Sequence, residues 1–342
     1  MNRSLDVVSF SVRPSARLIA RRQLLSRVQC NKTNSPEAES PFRTVRTIQI
    51  SYTELKDKRK DLSSKIEEGF GPNGLGILSV SQVPGFSSLR QTLLNLSPRI
   101  ASLPNDVKSM LEDPESRYNI GWSHGKEKLE SGKAAFKALG KLMLDVGQML
   151  AYHCDHYVSK ALKFNVGECL QQILIRSRCH KGRLLYYFPK QHSGCTAGTD
   201  LSSWCGWHTD HGSLTGLTNG MFLKNGVNVG CPDRAAGLYV RTRDNEIVRV
   251  VFGEEEVAYQ IGEVTEILSQ SLLCATPHCV KAPNGEMAVG IDRSTFALFM
   301  QPDWDEFLKF PSEIHRHKEF ITPNGTLSFG EYSEALLGKY YY

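Results

Sequence analysis

The run Trp207-His208-Thr209-Asp210-His211-Gly212-Ser213-Leu214-Thr215 sets an imidazole and a carboxylate two residues apart at the head of a β-type segment. Side chains at i and i+2 of a strand leave from the same face, so His208 and Asp210 can grip one metal ion. A pair of this kind arises readily by chance and carries little alone. A second one, His153 with Asp155, lies where Phe136, Leu139, Leu142, Met143, Val146, Met149 and Leu150 recur at helical spacing. Two helical positions two apart diverge by about 200° and cannot chelate together, so His153 is expected to be a partly buried structural histidine. The first pair is distinguished by its downstream companions: His278 in Cys274-Ala275-Thr276-Pro277-His278-Cys279-Val280, and then Arg293-Ser294-Thr295. Two imidazoles and one carboxylate on one face of an octahedral metal leave three positions open for a chelating ligand and dioxygen. A guanidinium fork beside a hydroxyl suits a carboxylate at the far end of that chelator.

Around this set, His211 falls on the opposite strand face and is expected behind the site or facing solvent. Trp204, Trp207, Phe222 and Tyr239 are candidates for a substrate pocket, in competition with ordinary core packing.

These side chains need a rigid frame. From Leu170 onward the chain has short β-rich runs: Gln171 to Ser177, Gly182 to Phe188, Ser213 to Thr218, Gly237 to Thr242, Val248 to Phe252, Val257 to Ile261 and Thr295 to Met300. Many short strands punctuated by Gly, Asn and Asp point to a sandwich, barrel or jelly roll. The front half is helix-dominated. Short strands are expected at Thr44 to Ser51 and Leu75 to Val80, with a helical period from Glu54 to Phe70. A second helical face carries Leu89, Leu93, Leu96, Ile100 and Leu103, ahead of the long helix that holds His153. The Ser-, Asn-, Glu- and Pro-rich stretch from Asn31 to Pro41 has linker chemistry.

With 342 residues and 40% hydrophobic content the chain can build a large core. No apolar run approaches the roughly 18 residues of a membrane span. The net charge of +5 is concentrated in the leader, where Arg3, Arg13, Arg17, Arg21, Arg22, Arg27 and Lys32 face Asp6 alone. A folded body near neutrality gives no footing for nucleic acid. The Arg- and Ser-rich, acid-poor leader is expected to be an organellar transit peptide. Val28-Gln29-Cys30 resembles a chloroplast processing site, Ala16 to Val28 also fits a basic amphipathic helix of mitochondrial type, and a cytosolic tail is the third reading. The nine cysteines show neither CxxC nor zinc-finger spacing, so reduced thiols are expected.

Taken in order, His208-Thr209-Asp210, Ser213-Leu214-Thr215-Gly216-Leu217, Gly237-Leu238-Tyr239-Val240, Ala258-Tyr259-Gln260-Ile261-Gly262-Glu263, Pro277-His278-Cys279-Val280 and Arg293-Ser294-Thr295 resemble the isopenicillin N synthase-like branch of the 2-oxoglutarate- and iron(II)-dependent oxygenases, common in plants. Leu75 to Phe86 looks like that family's amino-terminal strand and turn, and the resemblance covers roughly residues 45 to 305. It implies an α+β fold: a double-stranded β-helix, or jelly roll, with a helical amino-terminal region packed around it. The implied division is leader and linker at 1–40, helical and mixed region at 41–163, double-stranded β-helix at 164–310 and carboxy-terminal tail at 311–342. It further implies iron(II) held by His208, Asp210 and His278, and 2-oxoglutarate contacted by Arg293, Thr295 and Tyr187, with dioxygen as the other cosubstrate.

The implied activity is oxidation of a small-molecule metabolite, hydroxylation by default, with release of succinate and carbon dioxide, by a monomer without nucleic-acid or membrane partners. Three departures stand out. The motif Arg-x-Ser is Arg293-Ser294-Thr295 here. Tyr186-Tyr187-Phe188-Pro189 sets Phe188 where the family often has a cosubstrate-holding tyrosine. The segment with a Trp-Pro pair is missing where Ser131-Gly132-Lys133 runs directly into Ala134-Ala135-Phe136, as in a shortened isoform. Two other readings stay open: a related iron enzyme that needs no 2-oxoglutarate, favoured by Phe188, and a non-catalytic binding protein, favoured by the missing segment.

Overall fold

Alternation with a period of two organises the molecule, because the central strands of the larger sheet serve a helical layer with one face and a cavity with the other. The computed structural model describes residues 42–104, 130–162, 169–189, 204–309 and 326–341. The leader and the segment before Glu130 lie outside the described residues. The larger sheet follows the order β2 (Ile48–Ser51), β3 (Ile77–Ser81), β11 (Val257–Ile261), β6 (Leu214–Thr218), β13 (Ile291–Met300), β7 (Met221–Lys224), β8 (Val227–Val229), with β4 (Lys181–Tyr187) along the other side of β13. The smaller sheet runs β1 (Thr44–Arg46), β10 (Ile247–Val251), β9 (Gly237–Arg241), β12 (His278–Lys281), β5 (Cys205–His208).

Leu184 on β4, Tyr259 on β11 and Phe296, Leu298 and Met300 on β13 are buried against the helices, in one core with α1 (Tyr52–Lys56), α2 (Ser63–Phe70), α3 (Phe86–Ala101) and α4 (Glu130–Ser159). Burying each such side chain is worth about 1.5–3 kcal/mol, which pins the face that each strand shows to the helices. The Tyr259 hydroxyl donates to Met143 O on α4 at 2.6 Å. Ile77, Val240, Val248, Val250 and Ala258 join the two sheets from their facing sides. This sandwich of two curled sheets is the α+β jelly roll that the sequence implies.

Two expectations are corrected. Gln171 to Ser177 is not a strand but part of α5 (Leu170–Arg176), whose buried Leu170, Ile173 and Leu174 fall at helical spacing. Asp155 on α4 accepts the Leu170 and Gln171 N–H groups at 2.8 and 2.9 Å, supplying from outside the cap that a helix start needs. The helical period from Glu54 to Phe70 is divided between α1 and α2, with Asp57–Leu62 outside both. Beyond position 310, β15 (Thr326–Ser328) pairs with β14 (Phe307–Lys309), and α7 (Phe329–Tyr341) buries Phe329, Tyr332 and Leu336 against α6 (Glu263–Leu268). The described end of the chain is therefore packed against the rest of the fold.

Candidate metal centre

His208 closes β5 and His278 opens β12, and the two are direct partners in the antiparallel pairing. Their rings stand 4.2 Å apart between centroids. Asp210 follows in the turn toward β6, with an Oδ1 3.8 Å from His208 Nε2. That turn rests on Gly262: a Cβ there would collide with the Gly212 carbonyl oxygen, while Glu263 N donates to Asp210 O at 2.8 Å. One ligand atom from each of His208, Asp210 and His278 lies within 4.8 Å of the others. Among the described residues no other group of three or more His, Cys, Asp and Glu side chains comes together in this way.

Both rings are held through Nδ1, which sits 2.8 Å from Gly206 O in His208 and 2.8 Å from Gln260 Nε2 in His278. Each therefore turns Nε2 inward. Burial works against charge at all three positions. It leaves His278 low, at about 4, whereas at His208 the Cys205 thiol and the Asp210 carboxylate overcome it and raise the ring to about 9. For Asp210 burial is outweighed by His278 and His208, and its carboxyl is held below the ordinary range. Two imidazole nitrogens and a carboxylate oxygen converging with open space beside them fit a six-coordinate metal such as iron(II).

That space is a cavity of about 350 Å³ lined by the triad and by Arg183, Leu185, Tyr187, Phe222, Arg293, Thr295 and Phe299, among others. Arg293 is 9% exposed, and its Nη1 is buried with no hydrogen-bond partner among the described residues. A buried guanidinium N–H left this way is costly unless a ligand completes it. Tyr187 stands opposite Arg293 across the β4–β13 pair, with the guanidinium 5.3 Å from the ring centre.

Room for the guanidinium comes from a break between β6 and β7. Both pair with β13 on the same side, Leu217 opposite Ala297 and Met221 opposite Ser294. Thr218, Asn219 and Gly220 thus face only Thr295 and Phe296, a bulge of one residue. A Cβ at Gly220 would overlap Arg293 Nε. The buried Arg90 of α3 donates to the Asn219 carbonyl from Nε and Nη2, at 3.1 and 2.9 Å. Thr295 repairs the interrupted ladder: its hydroxyl donates to Thr218 O at 2.9 Å, and Phe296 N donates to Thr218 Oγ1 at 2.9 Å. Arg293 is thus poised toward the cavity, while the Thr295 hydroxyl is engaged within the sheet.

Phe188 does not take the cavity position. It lies beyond the last residue of β4, is 43% exposed and packs edge-on to Tyr186. Strand alternation sends Arg183, Leu185 and Tyr187 inward, so Tyr187 occupies the place that the Tyr-Tyr-Phe-Pro spacing assigned to Phe188. Of the aromatic candidates, Phe222 lines the cavity, and Trp204 packs between Tyr187 and Phe222. Trp207 and Tyr239 belong to a separate cluster with Cys279 and Phe42. His153 is buried with Nε2 2.9 Å from Leu55 O, as expected of a structural histidine. His211 faces neither the triad nor open solvent: it stacks on Phe329 and meets Ser333 Oγ at 3.2 Å. Sequence reasoning missed Arg90, Gly220 and Gln260. Only Gly220 had a signal, a glycine interrupting a β-type run, which marks a bulge or a close approach.

No family model and no curated protein matches the chain. Solved structures do. A full-length Neurospora crassa protein in complex with alpha-KG superposes with a TM-score of 0.62 at 14% identity over 85% of this chain and 95% of that one. JOX2 in complex with 2OG, Fe and JA gives 0.58 at 14% identity, over 87% of each chain. The dioxygenase for auxin oxidation in rice gives 0.55 at 16% identity, over 86% of this chain and 95% of that one. The chain thus has the double-stranded β-helix fold of these oxygenases over most of its length.

Proposed function

We propose that this protein is an iron(II)- and 2-oxoglutarate-dependent dioxygenase that oxidises a small-molecule metabolite, by default through hydroxylation, and releases succinate and carbon dioxide. The observation that carries the reading is the buried Arg293 Nη1, without a hydrogen-bond partner among the described residues, in the same cavity as the convergent His208, Asp210 and His278. Solved structures of this fold with alpha-KG, or with 2OG and Fe, support the same pairing of ligands.

In this reading His208 Nε2, Asp210 and His278 Nε2 hold the iron, and Arg293 binds the far carboxylate of 2-oxoglutarate beside Tyr187. When bound, iron would activate dioxygen, the oxidant, and 2-oxoglutarate would supply two of the electrons that reduce it, with the substrate supplying the other two. The chain's own residues orient and insulate. Arg293 meets a carboxylate with a preformed fork, and Leu185, Leu217, Phe222 and Ala297 give the cavity apolar walls that exclude water. Thr295 supports the bulge that leaves Arg293 its room, and a contact from its hydroxyl to the cosubstrate requires it to leave Thr218 O.

The plant-type, isopenicillin N synthase-like branch is the subclass that the ordered motifs favour. The protein is further proposed to be a monomer directed to an organelle, the chloroplast before the mitochondrion, by its basic leader. The activity is tested by incubating the purified chain with iron(II), 2-oxoglutarate and air and measuring succinate. Formation that stops on removing iron or oxygen is expected, and no succinate from an iron-loaded sample would contradict it.

A further inference from the structure

Gln260 is fully buried on β11, on the face turned toward the smaller sheet. Its Nε2 lies 2.8 Å from His278 Nδ1 and 3.4 Å from Thr276 O, while its Oε1 is buried with no hydrogen-bond partner among the described residues. His278 Nδ1 is also 3.2 Å from Thr276 O. An amide N–H given to Nδ1 needs the lone pair there, which leaves the ring proton on Nε2, the nitrogen turned toward Asp210 and His208. A ring in that tautomer cannot bind a metal through Nε2. Once a metal takes the Nε2 lone pair, Nδ1 carries the proton and the 2.8 Å contact sets two N–H groups against each other. Turning the amide over by 180° removes the conflict and gives Oε1 a donor in Nδ1–H, in exchange for the Nε2 contact to Thr276 O. The exchange moves one proton from Nε2 to Nδ1 and leaves the net charge unchanged.

We infer that Gln260 is a positioning residue of the metal centre: its amide selects the tautomer of His278 and turns over as the metal binds, becoming the acceptor that holds the ring in place. The inference rests on the metal reading of His208, Asp210 and His278. Partners that accept from a metal-bound histidine raise affinity, and losing one typically weakens binding 10- to 100-fold.

The test is anaerobic calorimetry of iron(II) binding to the full-length protein and to Gln260→Leu and Gln260→Glu. The expected result is a 10- to 100-fold weaker affinity for Gln260→Leu, with the affinity restored in Gln260→Glu, whose carboxylate can accept from Nδ1–H. Wild-type affinity in Gln260→Leu, or a Gln260→Glu variant as weak as Gln260→Leu, overturns the inference. If Gln260→Leu does not fold, nitrogen NMR of the wild-type chain decides. Zinc loading should place the ring proton of His278 on Nδ1 and shift the Gln260 side-chain amide, and an unmoved amide resonance overturns the proposal. A wild-type chain that binds no iron removes the metal reading itself, and the role of Gln260 with it.

Discussion

Tyr187 and Arg293 are register partners across the β4–β13 pair, and the Arg293 guanidinium lies 5.3 Å from the centre of the Tyr187 ring. The ring closes one side of the guanidinium and Gly220 the other, so the remaining direction is the cavity. Arg293→Ala should weaken 2-oxoglutarate binding by about 10- to 100-fold, the 1.5–3 kcal/mol of a hydrogen bond to a charged group, with iron affinity unchanged. Arg293→Lys should recover only part of it, because an ammonium cannot pair bidentately. Equal 2-oxoglutarate affinity in wild type and Arg293→Ala, measured by calorimetry with iron present, would place the cosubstrate elsewhere.

The same register distinguishes Tyr187 from Phe188. Tyr187→Phe should raise the apparent Michaelis constant for 2-oxoglutarate about 2- to 10-fold, the 0.5–1.5 kcal/mol of one ordinary hydrogen bond. Phe188→Tyr should leave it where it is, since that side chain is outside the cavity. The reverse pattern would mean that the strand register is shifted by one residue. Phe188 is the residue that favours a reading without 2-oxoglutarate, and that support disappears with this placement.

Much of the site was legible from the order of its parts: no pair carried weight alone, but His208 and Asp210 two apart, followed by His278 and then Arg293-Ser294-Thr295, stood out as a set. The fold brings His208, Asp210 and His278 together, with Asp210 in the turn after β5 and His278 paired with His208. The misreadings have physical causes. Leu170 to Arg176 is rich in β-branched and long apolar residues, and its helix start is capped by Asp155 from another helix, a partner the local sequence does not show. Tyr186, Tyr187 and Phe188 are all aromatic, so their pattern could not say which one faces inward. The helical face read from Leu89, Leu93, Leu96, Ile100 and Leu103 holds the buried Arg90 as well, because a bulged carbonyl from Asn219 awaits it. Gln260, inside Val257 to Ile261, gave no sign of its tie to His278.

Gly220 is the narrowest point of the cosubstrate end. Gly220→Ala should push the Arg293 guanidinium aside, destabilising the fold by about 1–3 kcal/mol as an overpacked site does. It should also weaken 2-oxoglutarate binding while sparing iron. Calorimetry with each ligand in turn, beside a thermal melt, separates these effects. Unchanged cosubstrate affinity would show that the guanidinium does not depend on this gap.

Asp155 predicts a pH dependence of stability. Burial raises its carboxyl from 3.8 to about 6, against the opposing pull of the Gln171 and Leu170 N–H groups. Between about pH 4 and 6 the folded chain keeps a proton that the unfolded chain has released, so this group's contribution to stability falls as pH rises through that window. Asp155→Asn should flatten that part of the profile, as read from thermal melts of metal-free protein between pH 4 and 7. Parallel profiles for the two proteins would show that Asp155 does not titrate there.

The leader proposal has its own test. A fusion of residues 1–45 to a fluorescent protein should enter an organelle and be cleaved near Cys30 to Pro36, whereas uniform cytosolic signal with an intact amino terminus would contradict it.

The joint iron and 2-oxoglutarate site is tested by an anaerobic titration of the iron(II)-loaded protein with 2-oxoglutarate, followed by visible absorption. A chelate on an iron held by His208, Asp210 and His278 should develop a saturable metal-to-ligand charge-transfer band. The band should be absent in Asp210→Ala, and in Arg293→Ala it should need about 10- to 100-fold more 2-oxoglutarate to reach half its height. An iron-loaded wild-type protein that shows no band at millimolar 2-oxoglutarate, or a band that persists unchanged in Asp210→Ala, would contradict the account.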